Sequence, residues 1–208
     1  MDYAYCYGRR TNLYLNATNR CSNDCRGCVR RSRRGLGDGQ LGGGPEPDLD
    51  ALLEAVRERG GAEAFEEIVW CGFGEPTYRL DLIIAAAPAF RAGGARVRLN
   101  TNGHACVIHG RDVLDELAEV VDAISISLNA PTRQRYVELC RPRVDLVAPG
   151  AAISPGDLFD ATADLLHHAC RRLDDVRASV VGSWLTDREI EETRVLAADL
   201  GCTSFRVR

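Results

Sequence analysis

The chain predicts an α/β fold: a partial, open (βα)6-type parallel barrel with no helix after its last strand. Three observations lead there. Strand-like and helix-like segments alternate along the whole chain, as a parallel sheet with crossover helices requires. Right-handed crossovers curl such a sheet in one direction. At 208 residues the chain falls short of the ~250 typical of a closed eight-strand barrel, leaving room for about three-quarters of one. A flat doubly wound sheet is the alternative. One domain is expected over residues 1–208, with a cysteine-bearing loop at 18–34 and a Gly/Pro-rich flexible loop at 35–47.

Taken in order, Tyr3, Tyr5 and Tyr7 share one face if extended; they form either a short added strand or an irregular terminus. Residues 12–17 make the first strong strand, with Leu13, Leu15 and Ala17 on one face and Asn12, Tyr14 and Asn16 on the other. It runs directly into Cys21. Leu49, Leu52, Leu53 and Val56 recur at helical spacing before Gly60-Gly61. Residues 67–70 form the second strand and deliver Cys71-Gly72-Phe73-Gly74-Glu75-Pro76. A helix over about 80–90 and a strand over 96–100 follow, ending in Thr101-Asn102-Gly103. The fourth unit pairs a helix near 112–120 with a strand at 122–128. There Ala123, Ser125 and Ser127 face one way and Ile124, Ile126 and Leu128 the other, as in a strand that lines a polar cavity and is backed by helices. A short helix at 132–139 leads to Cys140-Arg141-Pro142, then irregular chain to Pro155. Helices at about 158–172 and 187–200 flank a strand at 176–181, and a strand at 203–207 comes last. The first and sixth strands are then sheet edges, to be shielded by the tyrosine-rich N-terminus, a second subunit or a protein substrate.

Composition narrows the chemistry. The net charge is −4, so nucleic acid is not indicated. All 26 basic residues are arginine, which excludes a Schiff-base lysine, a phosphate-loop lysine and a lysine base. No eighteen-residue apolar run exists, so no membrane span is expected, and residues 1–10 lack the apolar core of a signal peptide. Nine cysteines, odd in number and unevenly clustered, suggest a reducing, cytoplasmic setting and use in metal binding or as single buried thiols. Arg30, Arg31, Arg33 and Arg34 either meet an anionic substrate or acidic partner, or form a solvated basic turn.

The chemistry gathers at Cys21, Cys25 and Cys28. Three clustered thiolates suit a soft metal or an iron–sulfur cluster. Zinc would want a fourth ligand, for which Cys6, Cys71, Cys106, Cys140, His104, His109, His167 and His168 are candidates, but none makes a second tight pair. An open [4Fe–4S] centre is the better reading. The alternative is a non-catalytic zinc- or iron–sulfur-binding interaction module.

This C-x3-C-x2-C loop after a first strand resembles that of radical S-adenosylmethionine (SAM) enzymes. The resemblance implies that Cys21, Cys25 and Cys28 hold a [4Fe–4S] cluster whose remaining iron is chelated by SAM. It implies reductive cleavage of SAM to methionine and a 5′-deoxyadenosyl radical that abstracts hydrogen from an unidentified substrate, with flavodoxin or ferredoxin as electron donor. Gly72, Phe73, Gly74, Glu75 and Pro76 resemble the family segment that binds the methionine amino group, with Phe73 departing from its pattern. Thr101 and Asn102 are then expected to line the SAM pocket, Ser125, Ser127 and Asn129 to contact ribose or the methionyl carboxylate, and Arg177 to pair with that carboxylate. The residue before the last cysteine is usually aromatic and lies near adenine; here it is Gly27, so that contact is expected from Tyr78 or Phe73. Residues 13–21, 72–77 and 136–142 are most similar to TatD-linked radical SAM proteins. Cys140 is a candidate hydrogen-atom donor, metal ligand or plain buried thiol, and Cys71 shares that ambiguity. His104 and His109 have no evident companion, and His167 and His168 read as structural or surface residues. A polypeptide substrate or a homodimer partner is expected at the exposed edge.

Overall fold

Alternating apolar and polar residues give each strand two unlike faces, and the fold sorts them. The computed structural model describes residues 1–8, 11–149 and 153–208; 9–10, in the N-terminal stretch, and 150–152, in the irregular chain before Pro155, lie outside the described residues. The elements run β1 (Ala4–Cys6), β2 (Asn12–Leu15), β3 (Gly35–Leu36), β4 (Gly39–Gln40), α1 (Leu49–Glu58), β5 (Glu67–Trp70), α2 (Leu80–Ala92) and β6 (Arg96–Thr101). They continue with α3 (Ala105–His109), α4 (Leu114–Val120), β7 (Ala123–Ser127), α5 (Arg133–Cys140), α6 (Asp157–Ala169), β8 (Val176–Val180), α7 (Asp187–Asp199) and β9 (Ser204–Val207).

Among the described residues seven strands form one sheet in the order β1-β2-β5-β6-β7-β8-β9. All neighbours from β2 onward pair in parallel, and β1 joins β2 antiparallel. One core receives buried side chains from every helix, among them Leu52, Ile83, Ala105, Leu117, Leu139, Leu166 and Ala197, and from the outward strand positions Leu13, Ile68, Leu99, Ile124 and Ala178. Each buried Leu or Ile contributes ~1.5–3 kcal/mol by leaving water. The helices thus cover a single face, which matches a partial barrel and not the two-sided cover of a doubly wound sheet. The opposite, inner face carries Asn100, Ser125, Arg177 and Ser204 in one cross-strand rung and Ser127, Ser179 and Arg206 in the next.

Local chemistry sets the element ends. Asp48 caps α1 by accepting from Ala51 N at 2.9 Å. Thr186 and Glu189 close a reciprocal capping box on α7. Three features go beyond the sequence expectation. The tyrosine-rich segment is a true strand, so the first strong strand is not an edge: β1 covers it. Residues 35–47 contain the β3–β4 hairpin, which binds β1 through Asp2 N to Gln40 O at 2.7 Å and Asp38 N to Cys6 O at 3.2 Å. The extra helix α3 occupies five residues, too few for periodicity to reveal. Among the described residues, no helix is long and apolar enough to cross a membrane.

Candidate functional site

The cysteine loop leaves β2 at the C-terminal ends of the parallel strands and docks on the end of α5. Helix C-termini leave carbonyls without intrahelical partners. Here Arg26 N donates to Leu139 O at 2.8 Å and Asp24 N to Cys140 O at 3.1 Å, while Arg143 N donates back to Ser22 O at 2.8 Å. Arg141 turns the chain with φ 48°, and Asn23 bridges Pro142. The Cys140-Arg141-Pro142 segment is therefore the loop's platform. Cys140 itself is fully buried beneath the loop, beside Cys25 and accepting from Asn129 Nδ2 at 3.6 Å.

Beneath the loop lies a buried polar chain. Asn102 Nδ2 donates to Ser22 Oγ at 2.9 Å, Ser22 Oγ contacts His104 Nδ1 at 2.8 Å, His104 Nε2 contacts Tyr136 OH at 2.9 Å, and Asn23 Nδ2 donates to that same hydroxyl at 3.1 Å. Burial pulls the His104 pKa down to about 3, so the ring is neutral. His104 thus has companions, from the cysteine loop and from α5, neither adjacent in sequence. His109 contacts the Thr77 carbonyl at 2.7 Å and His167 the Leu200 carbonyl at 3.1 Å, both structural bonds.

Glu75 is almost wholly buried. Its Oε1 accepts from Thr77 Oγ1 at 2.8 Å and Thr101 Oγ1 at 2.7 Å, and Oε2 from Asn102 N at 2.7 Å. Burial raises its pKa, and these donors oppose the rise. The carboxylate therefore latches the turn after β5 to the end of β6. Gly72 and Gly74 are required by close packing against the exit of β2: a Cβ on Gly72 would meet Asn16 Oδ1 at 2.0 Å, and one on Gly74 would meet the Thr18 and Arg20 carbonyls at 2.4 Å. Pro76 opens a short 3-10 turn whose cap is Glu75. Phe73 is buried with Tyr5 and Leu41, away from the polar rungs.

A model of the radical SAM superfamily matches residues 15–197. The chain belongs to the radical SAM superfamily. Solved structures agree at the level of fold. Streptococcus suis SuiB bound to its precursor peptide SuiA superposes with TM-score 0.64 at 15% identity, covering 95% of this chain and 38% of that one. SuiB bound to S-adenosylmethionine gives 0.60 at 16% identity, with the same coverage. Archaeal TYW1 gives 0.53 at 13% identity, covering 95% of this chain and 64% of that one. The chain thus spans under two fifths of SuiB's length and just under two thirds of TYW1's. No curated protein matches in sequence.

For a radical SAM chain the loop has the right donors. Cys28, Cys21 and Cys25 all lie within electrostatic reach of one guanidinium, that of Arg30, whose Nε donates to Cys28 Sγ at 3.2 Å. Buried acceptors without partners among the described residues, Asn23 Oδ1 and Asn129 Oδ1, flank the loop on its α5 and β7 sides. In donor chemistry and common location these residues fit an iron–sulfur cluster. The thiols are turned to separate partners, and among the described residues no three His, Cys, Asp or Glu side chains converge in a metal-holding group. Burial, with Glu75 nearby, pushes the Cys21 thiol up to about 12, and contact with the Cys140 thiol followed by burial pushes Cys25 up as well. Bound cations reverse such shifts by stabilising thiolate.

Of the remaining expected residues, Ser125, Ser127 and Arg177 share the inner face, and Asn129 stands just past β7 with φ 60°. Thr101 and Asn102 are engaged in the buried network. Cys71 lies on the inner-face parity of β5, its pKa raised by burial. Tyr78 stacks beneath Arg20 at 5.0 Å and lines a cavity of about 400 Å³ with Cys21 and Arg30. Sequence reasoning missed Trp184. A Cβ on Gly27 would come within 2.5 Å of its indole nitrogen, so the glycine makes room for an aromatic delivered after β8.

Proposed function

We propose that the chain is the radical-generating core of a radical SAM enzyme and, more finely, of the TatD-linked group that residues 13–21, 72–77 and 136–142 resemble. Cys21, Cys25 and Cys28 would hold a [4Fe–4S] cluster. When bound, the cluster with SAM supplies the electron that splits the sulfonium, giving methionine and a 5′-deoxyadenosyl radical for hydrogen abstraction. The protein's part is positioning. The Ser22–His104–Tyr136 chain and the α5 platform hold the loop still. Gly72, Phe73, Gly74, Glu75 and Pro76 shape the turn beside it, the Glu75 carboxylate through Thr101 and Asn102. Ser125, Ser127 and Asn129 offer hydroxyls and an amide to ribose, and Arg177 a guanidinium to the methionyl carboxylate. Trp184, standing beside Gly27, takes the adenine-facing place expected of Tyr78 or Phe73.

What supports the reading is the family match over residues 15–197, which spans the cysteine loop and four of the six parallel strands. A polypeptide is the substrate class proposed, by analogy with SuiB and its precursor peptide; a flavodoxin or ferredoxin in the cytoplasm is the proposed donor. Protein reconstituted anaerobically with iron and sulfide should hold about four irons per chain and release 5′-deoxyadenosine when reduced with SAM. Cys21→Ser should lose both. Stable zinc in place of iron, with no SAM binding, would instead favour the interaction-module reading.

A further inference from the structure

The inner face of the sheet is positively charged in a chain whose net charge is −4. On its strand positions Arg96, Arg98, Arg177 and Arg206, followed by Arg208, stand against two carboxylates, Glu67 and, just before β8, Asp175, which pairs with Arg96 at 3.0 Å. Glu67 is already taken: it pairs with Arg98 at 2.8 Å and accepts from Asn12 Nδ2 at 3.0 Å. Among the described residues Arg177 meets only a hydroxyl, Ser204 Oγ at 3.3 Å, and Arg208 likewise reaches Ser127 Oγ at 3.1 Å. Arg206 sits opposite Ser179 and, among the described residues, has no ion-pair partner. Arg208 also lies within electrostatic reach of Cys71, Cys25 and Cys140.

SAM does not supply the missing charge. It carries an ammonium and a sulfonium against a single carboxylate, so it adds a positive charge, and one guanidinium suffices for that carboxylate. An anionic group of another molecule can take its place on the same face. Arg206 and Arg208 project from one side of β9, two residues apart and so ~7 Å along the strand. Two guanidiniums at that separation can close on one oxyanion. Among the described residues β9 pairs with β8 alone.

We propose that Arg206 and Arg208 form the anion seat of the substrate, which presents a carboxylate or phosphate group to the inner face beside Ser127. As a substrate seat it rests on the enzyme reading above; as an anion site it stands on the arginines alone. Reconstituted full-length protein is titrated calorimetrically with N-acetyl-tetraglutamate amide, with inorganic phosphate, and with the neutral tetraglutamine peptide as control. SAM affinity and iron content are measured on the same samples. The double variant Arg206→Gln/Arg208→Gln should weaken the peptide, the phosphate or both by about tenfold or more, the affected probe naming the source of the anion, while SAM affinity and iron stay at wild-type values. The loop variant Arg33→Gln/Arg34→Gln should change none of these. Failure of both anions to bind, equal binding by the double variant, or loss on the loop variant instead would overturn the seat. A parallel fall in SAM affinity would overturn it too, since the arginines would then serve SAM. Protein that takes up neither cluster nor SAM, yet loses anion binding in the double variant, would sink the enzyme reading and leave the anion seat standing.

Discussion

The two halves of the inner sheet face differ sharply, although the same strand alternation builds both. On the β1–β5 side, Tyr5 is fully buried with Leu41 and Phe73, and Tyr14, Val29 and Leu36 pack around them. The β3–β4 hairpin roofs this half. On the β7–β9 side, the corresponding positions are Ser125, Ser127, Arg177 and Arg206, and the helices all lie on the opposite face. A roofed half must be apolar to repay the lost hydration of its backbone and side chains, while an open half can keep hydroxyls and guanidiniums wet. The cysteine loop hangs over the seam: Val29 closes the apolar side, and Cys25 meets Cys140 at the polar one. On this face apolar burial is therefore concentrated in one half and polar groups in the other.

The largest stability loss should come from the roofed half. Leu41 is wholly buried, and Leu41→Ala should cost about 2–5 kcal/mol, read from urea unfolding. Cluster-bound variant protein should keep its SAM affinity below its melting point. A loss of SAM binding with little loss of stability would break the division of labour between the halves.

At the seam the test is pH. The folded His104 pKa, about 3, lies below the ordinary 6.5 because burial disfavours the charged ring. The unfolded chain takes up a proton that the folded chain does not, so this contribution is complete above about pH 6.5 and is lost as pH falls toward 3. The slope is ~1.4 kcal/mol per pH unit. Between pH 7 and 5 wild type should lose about 2 kcal/mol more than His104→Gln in matched urea titrations. Equal losses would mean that the ring is charged in the fold and that the Ser22–His104–Tyr136 chain is wired differently.

Gly27 probes the same seam sterically. Gly27→Ala pushes a methyl into the Trp184 indole and should cost ~1–3 kcal/mol, with a shifted tryptophan emission, unless the ring swings aside. The double change Gly27→Ala/Trp184→Ala should recover part of that loss. Full additivity would disconnect the two residues.

These residues also mark what the sequence could and could not tell. The strands and most helices were legible because burial repeats locally: Leu13 and Leu15, or Ile124 and Ile126, declare a face within a few residues. The polar parity of Ser125 and Ser127 likewise announced an open inner face. The hairpin is not legible because two-residue strands have no period, and Gly35 and Gly39 look like plain loop glycines until they pair with Gln40 and Leu36 across the turn. Within the site, the cysteine spacing was local and readable. The use of Glu75 as a latch, of α5's end as a platform and of Trp184 as the neighbour of Gly27 depends on segments that meet only in the folded chain. Gly27 looked like a missing aromatic; in the fold it is the clearance for one.

The smallest expected effect sharpens the comparison most, because it should appear in one half only. Arg177 faces the open side, holds no carboxylate among the described residues and meets Ser204 Oγ at 3.3 Å. Removing its charge leaves no buried ion unpaired, so Arg177→Gln should change unfolding free energy by no more than about 0.5 kcal/mol. If Arg177 answers the methionyl carboxylate, the same change should weaken SAM by about tenfold, ~1.4 kcal/mol, measured by equilibrium dialysis on cluster-loaded protein. The loss should shrink as salt rises, since the pair is accessible to solvent ions. Unchanged SAM affinity would move the carboxylate's partner elsewhere on the wall and return Arg177 to the pool of guanidiniums facing the substrate. A large stability loss would show that the open half bears load after all, and the two halves would then differ in polarity alone.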